Sequence, residues 1–240
     1  VLALVGTHEL WSLFHHNPRP PYWLCLVSVL AVVGCNWLVP LSGWPSAWRT
    51  IGVTFALAVI AAFLVEMARF ETPGESMRRV TISVFVVAYL GLLPCFLAQL
   101  RWLPGEPWVG TLALALTIFV PKCGDIGAYF TGRLLGRHKM SPVLSPKKTW
   151  EGAAGGMAAA IGVAIFLNRQ GPLLPNVWAE IGFGLSVGLA GLFGDLAESL
   201  IKRDCQEKDA SHAVPGFGGV LDVVDAILFA APVSFLWFLM

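Results

Sequence analysis

The densest run of ionisable side chains in this chain lies between Asp195 and Asp225. Asp195, Ser199, Lys202 and Arg203 recur at i, i+4, i+7 and i+8, so a continuous helix would set them in one polar stripe with Glu198 beside it. Lys208 and Asp209 follow, then Pro215-Gly216-Phe217-Gly218-Gly219, then Asp222 and Asp225 one turn apart where an apolar run begins. Carboxylates from two segments therefore converge on one boundary. Glycines at 216, 218 and 219 would let backbone approach a phosphate. A solvated, charge-balanced helix end is the plainer alternative, and the apolar sequence flanking the acids argues against it.

Two further clusters lie upstream. In Ser145-Pro146-Lys147-Lys148-Thr149-Trp150-Glu151-Gly152 the adjacent lysines and a hydroxyl could hold phosphate oxygens. Thr149 could also cap the helix that follows, with Glu151 in its first turn; a lysine pair at such a boundary equally serves as a topology anchor or lipid-headgroup contact. Lys122, Asp125 and Tyr129, spaced by three and four, share one helix face within an apolar run. Charges there cost at least roughly 2.5–3.5 kcal/mol to insert, so they face partners or a wet cavity. A purely structural Lys122–Asp125 pair is the alternative.

Carboxylates among several Lys and Arg suit magnesium-assisted transfer between phosphates, where the obstacle is repulsion between anions. A phosphate nucleophile is already largely ionised near neutrality, with a second pKa of about 6, so no strong general base is required. None of His8, His15, His16, His138 and His212 sits in a triad or metal-ligand spacing, and no GxSxG elbow surrounds Ser199.

These residues must be positioned by membrane helices. Of 240 residues, 56% are hydrophobic and 13% charged, well under the roughly 25% charge of a soluble domain. Apolar runs predict spans at 22–41, 50–67, 80–99, 109–132, 151–167, 177–200 and 221–240, and the fragment 1–14 could end an eighth. The expected fold is all-α, a polytopic membrane helical bundle of about seven to eight transmembrane helices. Lys and Arg divide between alternate loops as twelve against three, with Lys122 inside a span. That asymmetry predicts a cytoplasmic location for both long polar loops, 133–150 and 202–217. A net charge of +1 gives no support to nucleic-acid binding, and the five cysteines show neither zinc spacing nor a disulfide framework. The chain opens on Val1-Leu2-Ala3-Leu4 without an initiator Met or a basic n-region, so no signal peptide is expected here and a piece is expected to be missing from its start.

The run Ser199-Leu200-Ile201-Lys202-Arg203, Lys208-Asp209, Pro215-Gly216-Phe217-Gly218-Gly219-Val220-Leu221-Asp222-Val223-Val224-Asp225 resembles the C-terminal signature of the phosphatidate cytidylyltransferases, or CDP-diacylglycerol synthases. Lys147 to Gly152 and Gly124 to Tyr129 resemble that family's upstream blocks. The resemblance covers the chain from about 109 to its end, which divides it into an N-terminal membrane region, 1–108, and a catalytic membrane region, 109–240. It implies that phosphatidate attacks the α-phosphorus of CTP, giving CDP-diacylglycerol and pyrophosphate at the cytoplasmic face of a cell membrane. It further implies Asp195 and Asp222 as ligands of Mg²⁺, with a second cation as an option. Ser199, Lys202, Arg203, Lys208, Asp209 and Asp225 would surround the phosphates. Asp125, Lys147, Lys148, Thr149, Gly218 and Gly219 would bind substrate. Two positions depart from the family, which usually has His in place of Phe217 and Arg in place of Val223.

Three rival readings remain at this level: another CTP-dependent lipid cytidylyltransferase or polyprenol kinase, a transporter with Lys122 and Asp125 on an ion path, and a lapsed relative that only binds lipid. A homodimer is one assembly open to such a chain.

Overall fold

The computed structural model describes residues 2–42, 46–71, 73–207, 210–211 and 218–239, with backbone alone at 39–42. Lys208, Asp209, His212 and Phe217 lie outside the described residues. The order is α1 (Leu2–Leu13), α2 (Tyr22–Ser42), α3 (Ala47–Ala68), α4 (Ser76–Val87), a π turn (Ala88–Leu92) and α5 (Leu93–Leu100). Then come α6 (Pro107–Leu135), β1 (Lys139–Ser141), β2 (Ser145–Thr149), α7 (Trp150–Asn168), α8 (Val177–Asp204) and α9 (Val220–Leu239). Among the described residues six helices are long and apolar enough to cross a bilayer, and the apolar stretch Tyr22–Leu38 is a shorter one. Every span expected from the sequence coincides with one of these helical stretches, and the protein is an all-α, multi-pass membrane protein.

The chain packs as two units, Val1–Cys95 with Cys205–Val223, and Phe96–Asp204 with Val224–Met240. In the first, α3 turns Val53, Leu57, Ile60 and Leu64 outward along one face, which in water would be untenable and in lipid is ordinary. Its buried Glu66 is matched by Arg79 on α4, with Nε 3.2 Å from Oε2, and Arg79 also reaches Glu75. Asn36 donates to the Cys95 sulfur, tying α2 to α5.

In the second unit an apolar core that includes Leu116, Val120, Ala160, Ala164, Phe183 and Val187 joins α6, α7 and α8. Lipid tails are as apolar as these side chains, so helices associate here through close packing, which small residues permit. A Cβ at Gly156 of α7 would lie 2.8 Å from the Gly124 carbonyl and 3.0 Å from the Ala128 Cβ, both on α6. On α8, a Cβ at Gly184 would meet the Ile161 Cα of α7 at 2.6 Å, and one at Gly191 the Pro121 Cβ of α6 at 2.5 Å. Polar pairs supplement this packing. Thr117 and Ser234 share a buried hydrogen bond between α6 and α9, and the Trp237 indole donates to Ser186 at 2.8 Å.

The α6–α7 seam yields a paired test. Gly156→Ala should push the helices apart and lower stability by about 1–3 kcal/mol, read as a lower unfolding temperature in detergent. Gly162→Ala on the same helix, where an added Cβ meets nothing within 4 Å, should leave that temperature unchanged or slightly raised.

Candidate active site

Helix α8 continues unbroken to Asp204, so the expected stripe of Asp195, Ser199, Lys202 and Arg203 does lie on one helix. Its buried face carries Gly188, Gly191, Gly194 and then Glu198. The absent side chain at Gly194 is what brings α9 close: a Cβ there would stand 2.5 Å from the Asp225 carbonyl and 3.1 Å from the Ala226 Cα. One turn further along, carboxylate oxygens of Asp195, Glu198 and Asp225 lie within 4.8 Å of one another. Glu198, which the sequence places only beside the stripe, is 2% exposed and Asp225 4%. A solvated helix end does not describe them.

Each of these acids is matched by a lysine. Lys148 Nζ is 2.7 Å from Asp195 Oδ2, Lys202 Nζ 3.0 Å from Glu198 Oε2, and Lys122 Nζ 3.1 Å from Asp225 Oδ1. Lys122 also reaches Asp125, more loosely at 3.8 Å. The pair expected within one helix is therefore secondary to a pair between α6 and α9. Three oxygen donors this close, from carboxylates alone, fit a hard divalent cation.

The β1–β2 hairpin delivers Lys148. Its strands pair antiparallel with Lys139 opposite Thr149, and the chain runs directly into α7. Thr149 caps α7 as expected, its Oγ1 accepting from the Gly152 N–H at 3.1 Å. Glu151 clasps the hairpin base: its carboxylate accepts from the backbone N–H groups of Arg137 and His138 and pairs with the His138 ring at 2.6 Å. Between α6, the hairpin, α7 and α8 lies a cavity of about 490 Å³. Asp125, Lys147, Lys148, Thr149 and Asp195 line it, so four of the residues expected to bind substrate share one chamber with one of the acids.

Asp222, Gly218 and Gly219 belong to the other unit. Asp222 Oδ2 accepts from the N–H of Gly219 at 2.6 Å and of Ala210 at 3.2 Å, the back-reaching half of a capping box at the start of α9. Gly218 has φ +91°, a conformation glycine tolerates, and the space a Cβ would need is filled by the Asp222 carboxylate. Beside Gly219 stands Glu9 of α1, 3% exposed. Its carboxylate accepts from Val220 N–H at 3.0 Å, Leu221 N–H at 2.8 Å and the Ser211 hydroxyl at 2.6 Å. An acid from a helix more than 200 residues away in sequence thus satisfies the first orphan donors of α9. Nothing in the sequence near Glu9 marks it out; only its being a lone acid in an apolar segment could have drawn attention. Val223, where the resemblance puts Arg, is 38% exposed.

A model of the cytidylyltransferase family matches residues 1–240, and the chain belongs to that family of nucleotidyltransferase enzymes. It is similar to the phosphatidate cytidylyltransferase of Haemophilus influenzae, 28% identical over 96% of this chain and 85% of the relative. That of Mycobacterium bovis is 31% identical over 87% of this chain and 78% of the relative. Phosphatidate cytidylyltransferase 5, chloroplastic, of Arabidopsis thaliana is 33% identical over 73% of this chain, which spans 49% of that longer relative.

Replacing Glu9 with Leu would remove the acceptor that the Val220 and Leu221 N–H groups share. Amide hydrogen exchange at 219–222 should accelerate about tenfold or more, and the unfolding temperature should fall; unchanged exchange would remove Glu9 from this role.

Proposed function

We propose that the chain is a phosphatidate cytidylyltransferase acting at the cytoplasmic face of a cell membrane. The observation that carries this reading is the triad Asp195, Glu198 and Asp225 beside a lysine-lined cavity at the end of membrane helices, in a chain of the cytidylyltransferase family. A phosphate oxygen of phosphatidate forms the new bond to the α-phosphorus of CTP as the bond to the bridging oxygen breaks, and pyrophosphate departs with that electron pair. Both reactants are anions, so the residues' task is to hold like charges together in line.

Asp195, Glu198 and Asp225 would hold a magnesium ion. The Asp225 carboxylate, within 4.8 Å of those of Asp195 and Glu198, would take the place that the resemblance gives to Asp222, whose Oδ2 accepts from two backbone N–H groups. The ion, when bound, would screen the phosphate charge and polarise the α-phosphoryl group. Lys148 and Lys147 place positive charge along the cavity, and Lys122 pairs with the Asp225 carboxylate. Ser199 and Arg203 stand on α8 within one and two turns of Asp195, suited to contact the lipid phosphate. Lys208 and Asp209 keep the roles that the motif suggests. Asp222 and Gly219 order the α9 start.

Purified protein in mixed micelles, given labelled CTP, phosphatidate and magnesium, should yield labelled CDP-diacylglycerol and equimolar pyrophosphate; no liponucleotide from any lipid phosphate would refute the reading. Glu198→Gln and Asp225→Asn should each lower kcat at least roughly 100-fold, the scale on which losing one transition-state contact registers. For orientation, single cysteines at positions 148 and 169 in a cysteine-free background should react with an impermeant thiol reagent from opposite sides. Labelling from one side would overturn the cytoplasmic assignment.

A further inference from the structure

The cavity between α6, the hairpin, α7 and α8 has cations that no part of the sequence signature singled out. Arg133, in the last turn of α6, and Lys139, at the start of β1, line it with Lys147 and Lys148. Arg133 is held there by a hydrogen bond from Nη1 to the Tyr129 hydroxyl, 2.9 Å away. Lys139 is held by its register, opposite Thr149, and the Glu151 clasp fixes the backbone immediately before it.

We propose that this cavity takes the triphosphate of the nucleotide, with Arg133 and Lys139 gripping the phosphates that leave as pyrophosphate and Lys148 beside the phosphorus that reacts. The inference rests on the cytidylyltransferase reading above and assigns one of its two substrates to this chamber. Two observations favour the nucleotide over the lipid headgroup. First, about 490 Å³ falls within the roughly 300–1,000 Å³ of sites that enclose a whole small molecule. A headgroup whose acyl chains stay in the bilayer needs far less. Second, the lining cations are graded, from exposed Arg133, Lys139 and Lys147 to half-buried Lys148, which is paired with Asp195. A chain of phosphates can engage both ends of that series at once, whereas a monoester engages one.

The pyrophosphate grip has a consequence for catalysis. Positive charge at Arg133 and Lys139 is of most use where negative charge builds up on the leaving group, so losing it should affect nucleotide binding and turnover together while leaving the lipid untouched.

The test uses the full chain in mixed micelles, with Arg133→Gln and Lys139→Gln made singly and together. Arg137→Gln serves as a control, an exposed cation in the same loop that does not line the cavity. Each single change should raise KM for CTP about tenfold, with KM for phosphatidate unchanged and pyrophosphate a weaker product inhibitor. A rise confined to phosphatidate KM would make the chamber the headgroup site and overturn the inference; so would unchanged KM for both substrates. Equilibrium binding of CTP to the purified protein without lipid decides the matter separately from the reaction. Even if the parent made no liponucleotide, weaker CTP binding in the double variant would support the inference and equal binding would refute it.

Discussion

Three carboxylates within 4.8 Å, two of them almost wholly buried, repel one another by at least about 3.5 kcal/mol per pair at an effective dielectric of about 20. Such a cluster persists in a folded membrane protein only if positive charge is built in around it. Here the charge comes from separate elements: Lys122 from α6, Lys148 from the hairpin and Lys202 from α8 itself. The acids therefore dictate which elements must meet. Removing one member would leave its partner buried and uncompensated, which is far costlier than the pair is favourable.

Bringing those elements near enough falls to glycine. A lysine side chain spans only a few ångströms from its own helix surface, so α6, α7, α8 and α9 must approach almost backbone to backbone. Gly156 admits α6 to α7, Gly184 and Gly191 admit α7 and α6 to α8, and Gly194 admits the Asp225 turn of α9. The last of these lies one turn before Glu198 on the same buried face of α8. Packing and chemistry are thus written on a single helix stripe, glycine first and acid next. In a bilayer, where burying apolar surface between helices gains little, this close packing is also what holds the unit together.

Much of this was legible in the sequence, and the parts that were not share a physical reason. Spans could be read because insertion demands about 20 apolar residues, and the polar stripe on α8 because helical periodicity is local. The Thr149 cap was legible for the same reason. The segment 133–150 reads as a polar loop, yet it holds a hairpin whose register sets Lys139 opposite Thr149; strands this short carry little pattern of their own. Glu198 sits three residues from Asp195, and spacing alone cannot tell which flank of a stripe faces a neighbouring helix. Lys148 with Asp195 and Lys122 with Asp225 join residues far apart in sequence, and Glu9 with the α9 start farther still. Such pairings follow from tertiary placement, to which one sequence gives no access.

In the proposed enzyme the lysines would balance the acids until a divalent cation takes their place, and cation binding without substrate tests this most directly. Electron paramagnetic resonance of Mn²⁺ titrated into nucleotide-free protein would compare the parent with Lys148→Gln and with Asp225→Asn. Lys148→Gln should bind Mn²⁺ several-fold more tightly than the parent, because the cation no longer competes with an ammonium for Asp195, while Asp225→Asn should bind it more weakly. Unchanged or weaker binding in Lys148→Gln would contradict the account.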